Sequence, residues 1–387
     1  MVKEIYLDNG MSTRPSERSI SKMMPLLLER WGNPMSPHNK GQELYSDIKE
    51  SLSSIYTLLG ANHQDDFVFT SSGAEATNHI INSIYYDQTL ESGRNHFITS
   101  NIDEAPAIMA IGRLEENNCV GKMIQVGSKG YVTAKMIADA LTPRTALVSL
   151  SWANGLTGVI NPVEEISKLC EERGIFFHLD ASHILGKLFF NLDDIKVTHL
   201  TFNGDLLHAP KGTGGLFIKG GRHCSPFILG GIEQAGLRAG SYSIANLAAL
   251  GEAAREAMDA RDLVCTEVAR LRDKLEDGII KGFPEAVIFF KEEERLPGVT
   301  AIGFPKIVNE ALLFNLNRRG VYACIGGGSF QQIALILENC GIERILANGA
   351  ISFNLSRYTT ENEIDIAIEI IVEEAQRLKK ISEKVGL

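Results

Sequence analysis

Several groups of residues in this chain have the types and spacing to do chemistry. His178, Asp180 and His183 form an H-x-D-x-x-H pattern at the end of an apolar run. On a strand, residues two apart share one face, so His178 and Asp180 would point together. Imidazole and carboxylate suit a divalent metal with open positions, and Glu104 and Asp205 could complete such a set. That spacing is permissive, and the expectation is that no metal is bound. Asp180 also reads simply as a capping aspartate after a strand. Ser72-Gly73-Ala74 leads an apolar run into a helical stretch. Its backbone N–H groups would form a nest at a helix start, which attracts small anions. Cys324 precedes three glycines, Gly326 to Gly328, which make its loop permissive. A lone cysteine among apolar residues also reads as a small buried side chain. Neither a G-x-S-x-G elbow nor a G-x-G-x-x-G after a strand is present.

The elements that must position these residues are legible as short apolar runs alternating with helical stretches. The runs are 66–70, 96–99, 122–126, 145–150, 175–179, 198–202 and 215–218. Seven such runs with helices between them predict an α/β fold, with a largely parallel seven-stranded sheet covered on both faces. Ligands bind at the strand C-terminal ends in such sheets. That singles out Ser71–Glu75, Asp103–Glu104, Asn154, Asp180–His183 and Asn203–His208. A long helix is expected over 244–275, joining a second, small α+β domain with strands at 286–290 and 350–355. A last helix is expected over 361–380, capped by Thr359-Thr360. The division expected is residues 16–255 as the large domain, and 1–15 with 256–387 as the small one.

At 387 residues the chain is long enough for two cores, and 44% apolar residues describe an ordinary globular protein. A net charge of −10, with no long Lys/Arg block, argues against nucleic acid or an anionic membrane as partner. No apolar run approaches the ~20 residues of a membrane helix. The first eight residues read as a strand rather than a signal peptide. Six cysteines without C-x-x-C spacing argue against disulfides and a zinc knuckle, so the cytoplasm is the expected location.

Taken together, Ile5-Tyr-Leu-Asp-Asn, Gly32-Asn-Pro-Met-Ser36, Phe69-Thr-Ser-Ser-Gly-Ala-Glu75, Trp152-Ala-Asn154, His178-Leu-Asp-Ala181, Thr201-Phe-Asn-Gly-Asp-Leu-Leu-His-Ala-Pro-Lys-Gly212 and Phe353-Asn-Leu-Ser-Arg357 resemble class V aminotransferases and NifS/IscS-like cysteine desulfurases. The resemblance covers essentially the whole chain. It implies the pyridoxal phosphate fold type I, in a homodimer with sites at the subunit interface. It implies that Asp180 pairs with the cofactor's ring nitrogen and that Asn154 touches cofactor or substrate. Arg357 would clamp the substrate carboxylate, as a bidentate fork suits an α-amino acid; a surface salt bridge is the plainer reading. Ser72, Gly73 and Ala74 would form the phosphate cup, with Arg238 and Ser241 reaching across the dimer.

The chain departs from that pattern at the cofactor. The family's H-K pair falls on Asp205 and Leu206, and a leucine cannot form a Schiff base. Glu104 stands for a histidine that stacks on the ring, and His183 for a glutamine. Ala74 replaces a threonine and Asn203 a serine. Asp205 would repel a phosphate by several kcal/mol at ~4 Å. The family's loop cysteine aligns with Gly326 or Gly327 rather than Cys324. Lys211, in the G-P-K-G slot, would need a rebuilt turn to substitute. The expectation is a non-catalytic relative acting in binding or sulfur-transfer assembly, with a desulfurase or sulfur acceptor as partner. Pyridoxal phosphate would then be non-covalently bound or absent. The alternatives are a lysine-free pyridoxal or pyridoxamine phosphate enzyme, with His183, His208 or Glu104 as base, and an active desulfurase of L-cysteine.

Overall fold

The computed structural model of the chain describes residues 4–62, 64–327 and 331–385. The first strand, β1 (Ile5–Tyr6), lies outside the large sheet. The next seven are β2 (Asp66–Thr70), β3 (His96–Ser100), β4 (Val120–Ile124), β5 (Thr145–Ser151), β6 (Phe176–Asp180), β7 (His199–Asn203) and β8 (Gly214–Ile218). They form one sheet in the order β2-β8-β7-β6-β5-β3-β4, in which only β8 runs against its neighbours. The expected mostly parallel seven-stranded sheet is therefore present. Strands β5 and β8 are buried throughout, which is why they read as unbroken apolar runs rather than alternating ones.

Because β2, β3, β5, β6 and β7 are parallel, their C-terminal residues Thr70, Ser100, Ser151, Asp180 and Asn203 share one sheet edge. β8 runs the other way and delivers its first residue, Gly214, to that same edge. A side chain there would strike the backbone of Ser72 and Gly73, so only glycine fits. The helix Gly73–Ile84 starts above it, with Ser72 as N-cap accepting from Glu75 N. Ala76, Ile80 and Ile84, four apart, press into a core with Val68, Phe97 and Leu216.

Four short strands and a hairpin make up the rest. β9 (Val287–Ile288), β10 (Val299–Gly303), β11 (Val321–Tyr322), β12 (Gly326–Gly327), β13 (Gln331–Gln332) and β14 (Ala350–Asn354) follow the large sheet. β10 lies between β14 and β9, antiparallel to both, and β1 pairs with β11. The helix Glu361–Val385 buries Ile364, Ala367, Ile371 and Ala375 on this core, with Ile5 and Leu7 from the N-terminus.

Three expectations shift. The helical stretch predicted over 244–275 is broken at Ala260 into Ile244–Asp259 and a second run that starts at Arg261, passes through a π turn at Val264–Val268 and continues as Ala269–Gly282. It breaks where the chain changes core: Ala257 packs in the large core, while Val264 and Val268 pack in the small one. The strand predicted over 286–290 pairs only at Val287–Ile288, because Phe290 adopts a φ of 54° and ends it. β4 pairs two residues earlier than the apolar run suggested, since Val126 N turns to the side chain of Asn101.

Buried histidines are expected to make this fold acid-sensitive. His178 lies fully inside, its Nδ1 and Nε2 each 2.8 Å from the hydroxyls of Ser149 and Thr201. Burial pushes it down to about 3, and pushes His208 down to about 4. An unfolded histidine titrates near 6.5, so the unfolded chain takes up protons first as pH falls through that value. This contribution to stability is expected to be intact above about pH 6.5 and to decline below it, by about 2 kcal/mol per such histidine at pH 5. Urea unfolding at pH 7.5 and pH 5 measures this, and coincident curves would contradict it.

Candidate functional site

A cavity of about 240 Å³ opens at the shared strand edge, where the sequence placed its candidates. Ser72, Gly73, Ala74, Glu104, Asn154, Asp180, His183, Asn203 and Leu206 all line it. Asp180 ends β6 with its Oδ1 accepting from Ser182 N at 2.9 Å. Burial is the main cause that raises its carboxyl to about 6, and the charge of Glu104 adds to it. His183 Nε2 stands 3.4 Å from Glu104 Oε1, while its buried Nδ1 has no partner among the described residues. Gly155 makes room for this imidazole, since a Cβ there would run into the ring. The cavity thus faces two carboxylates and an imidazole that have bonding capacity to spare.

Other candidates are already occupied within the chain. Asn154 bonds Ile102 O through Nδ2 at 3.1 Å, and its Oδ1 accepts from Leu156 N and Thr157 N. It holds its own loop and has little left for a ligand. Ser72 is spent as the helix cap. In the anion nest, Gly73 N donates to Asn203 Oδ1 at 3.2 Å, so a side chain of the protein itself sits on the leading N–H.

Six candidates lie off this cavity. Asp205 faces the N-terminal segment: Ser12 Oγ lies 3.4 Å from its Oδ2, and burial raises its carboxyl. Arg238 pairs with Glu75 at 2.9 Å, and Ser241 is exposed. Arg357 pairs with Glu256 at 3.5 Å and lines a neighbouring cavity. Cys324 is buried, accepts from Gly326 N at 3.1 Å, and has its thiol pushed up to about 12, chiefly by burial. Burial of this kind disfavours the thiolate that a nucleophile needs. Gly328 and Ser329 of its loop lie outside the described residues. Lys211 is exposed at the mouth of a third cavity beside His208.

The H-x-D-x-x-H trio does not assemble. His178 spends both ring nitrogens on hydroxyls, as above, and no group of three His, Cys, Asp or Glu residues among the described ones is placed to hold a metal. Gly10, Met11, Gln331 and Ile336 also line the main cavity, and no local signal in the sequence marked them. They arrive from the N-terminus and from residues 331–336, far away in the chain.

The sequence model of the Aminotransferase class-V family matches residues 5–366. The chain belongs to that family. It is similar to a cysteine desulfurase of Nostoc sp. (strain PCC 7120 / SAG 25.82 / UTEX 2576), 34% identical over 382 residues, covering 98% of this chain and 94% of that one. It is similar in the same measure to the cysteine desulfurase NifS of Azotobacter vinelandii, 34% identical over 384 residues with 98% and 94% covered. Among solved structures, a NifS-like protein superposes with a TM-score of 0.90 at 28% identity, over 97% of this chain and 100% of that one. The NifS-like protein from Rickettsia africae ESF-5 shares the fold at a TM-score of 0.86, with 24% identity over 97% and 100%.

The family works with pyridoxal phosphate. Held covalently, that group needs an amine in the cavity and a vacant anion nest. Among the described lining residues there is neither lysine nor arginine, Leu206 fills the turn after β7, and Asn203 covers the nest. Asp180 stands where a pyridinium partner would, but the remaining residues do not fit the cofactor in its family mode.

Proposed function

We propose that this class-V family member is a non-covalent binding protein whose pocket takes a small molecule carrying an amino or other cationic group. It would not release sulfur from L-cysteine through a lysine-bound cofactor. The observation that carries this reading is the charge of the cavity: Glu104 and Asp180 face it with His183, and no described lining residue is a lysine or arginine. A cation about 4 Å from one carboxylate gains about 4 kcal/mol at an effective dielectric near 20, which corresponds to millimolar binding.

Titration calorimetry of the intact protein with propylamine and, separately, with inorganic phosphate tests the proposal. Binding of the amine, weakened well over tenfold in Glu104→Gln, is expected. Binding of phosphate with no heat from the amine would overturn it.

A second reading, an active cysteine desulfurase, is favoured by the names of relatives 32–35% identical over 98% of the chain. It requires an amine where Leu206 stands. The sulfide measurement described in the Discussion separates the two.

The same proposal includes a homodimer. It is supported by the large apolar side chains left exposed along the first helix and beyond it, including Met24, Leu27, Leu28 and Trp31. Sedimentation equilibrium is expected to give twice the chain mass, and a monomer at tens of micromolar would count against it.

A further inference from the structure

The parallel strands deliver one end of the large sheet to the acidic pocket. At the other end lies a cavity of opposite charge, about 370 Å³ in volume, beside Phe176, the first residue of β6. Four cations line it, Arg94, Lys196, Lys219 and Arg222, against two carboxylates, Glu171 and Asp193. The wall is therefore positive in a chain whose net charge is −10.

Arg94, Lys196 and Arg222 have no carboxylate partner among the described residues. Arg94 is half-buried just before β3. Its Nε and Nη2 donate to Thr145 O, and its Nη1 donates to Gly174 O at 2.9 Å. Those carbonyls are neutral, so the charge is uncompensated, and two of the five N–H groups of a guanidinium stay free. Lys196 Nζ donates to the carbonyl of Asp193 at 3.1 Å and keeps two protons. Arg222 lies over the Phe176 ring, 5.4 Å from its centroid, which orients the planar fork without engaging its N–H groups. Lys219 stands 3.7 Å from Asp65 Oδ1, but that buried carboxylate already accepts from Gly220 N and Asn62 N.

The sheet spaces these groups in a row. Lys219 follows β8, while Arg94 is bonded to the first residue of β5, with β7 and β6 between them. Three strand spacings set the two anchors about 14 Å apart. A chain of linked phosphates lying along that row meets all four cations, whereas a single phosphate meets only part of it. The volume offers roughly 25 water-sized positions, ample for such a chain. We infer that this cavity binds a small molecule carrying two or more linked phosphates, with Arg94 and Arg222 as forks and Lys196 and Lys219 as point charges. The inference does not rest on the amine-binding reading, because the two cavities share no lining residue and lie at opposite ends of the sheet.

Titration calorimetry of the intact protein with inorganic triphosphate, ATP and inorganic phosphate, without divalent metal, is the test. Triphosphate is expected to bind at least about tenfold more tightly than phosphate, because more of its charge faces the row. Lys196→Gln combined with Arg222→Gln, both at exposed positions, should weaken triphosphate at least about tenfold. Lys135→Gln, at an exposed position elsewhere, and Glu104→Gln should leave it within about twofold. ATP bound as tightly as triphosphate marks a site for the phosphate chain alone and tighter ATP a nucleotide site, and both support the inference. The comparison of ligands uses wild-type protein, so no variant has to fold. No heat from triphosphate, or an affinity no greater than that for phosphate, would overturn the inference. So would equal losses in Lys135→Gln and the double variant, or a change in Glu104→Gln that places the phosphates in the acidic pocket.

Discussion

Purified protein supplied with pyridoxal phosphate and L-cysteine is expected to release no sulfide above the cofactor-only background. The deficit against a lysine-bearing desulfurase should be at least about 10⁴-fold, since a positioned proton-transfer group alone is worth 10²–10⁴ and the amine nucleophile is lacking as well. The cause is geometric. Leu206 lies in the turn Gly204–Leu207 after β7 and lines the pocket, and no described lining residue supplies another amine there. Leu206→Lys alone is expected to restore little, because Asn203 still covers Gly73 N. Adding Asn203→Ser should then allow a borohydride-stable pyridoxyl lysine to form. Sulfide release by the wild-type protein, dependent on added cofactor, would sink the non-covalent reading and support the desulfurase one. Sulfide from Leu206→Lys by itself would mean that the nest is not an obstacle.

Asp180→Asn is expected to stabilise the protein by up to about 3 kcal/mol at pH 8. The carboxyl titrates near 6 in the folded chain against an ordinary 3.8. For an acid whose folded value is raised, the cost of charging it is fully present above about pH 6. It fades as pH falls toward the unfolded value, so the variant should gain little at pH 4. Asparagine keeps an oxygen for Ser182 N and removes only the charge. Glu104→Gln should recover part of the same gain, because the Glu104 charge contributes to the shift. Urea unfolding of both variants at pH 8 and pH 4 reads this directly, and an Asp180→Asn protein no more stable than wild type at pH 8 would refute it. The sign is opposite to that of the buried histidines, so Asp180 offsets part of their acid lability. A protein that keeps a carboxylate at such a cost, facing a cavity, has a use for the charge there.

Much of this architecture is local in origin and was legible in the residues. The seven apolar runs became seven strands, most plainly β3, β5 and β8, whose side chains are buried throughout and leave no polar alternation to misread. Ser72 before Gly73 announced a helix start, since its hydroxyl caps the N–H three residues on. That Asp180, Asn203, Glu104 and Ser72 would gather followed from their places after parallel strands. Type and spacing also sufficed to show that position 206 holds no amine.

Tertiary structure decided what those residues are free to do. Asn154 and Asn203 looked alike as polar residues after strands. One turned out to brace its own loop and the other to lie across the nest. Asp205 follows Asn203 by two residues yet faces Ser12, because the turn Gly204–Leu207 rotates it away from the pocket. His178 and His183 share a pattern, but strand pairing sets the first among hydroxyls, while a glycine twenty-eight residues before it admits the second to the cavity. Lys187 carried no signal at all. It lines a small cavity with residues far away in the chain, Val264, Gly298 and Leu355 among them. Local sequence encodes backbone state and burial, which depend on a few neighbouring residues. Charge, pairing and reactivity depend on groups brought together from distant parts of the chain, and only the packed fold specifies those.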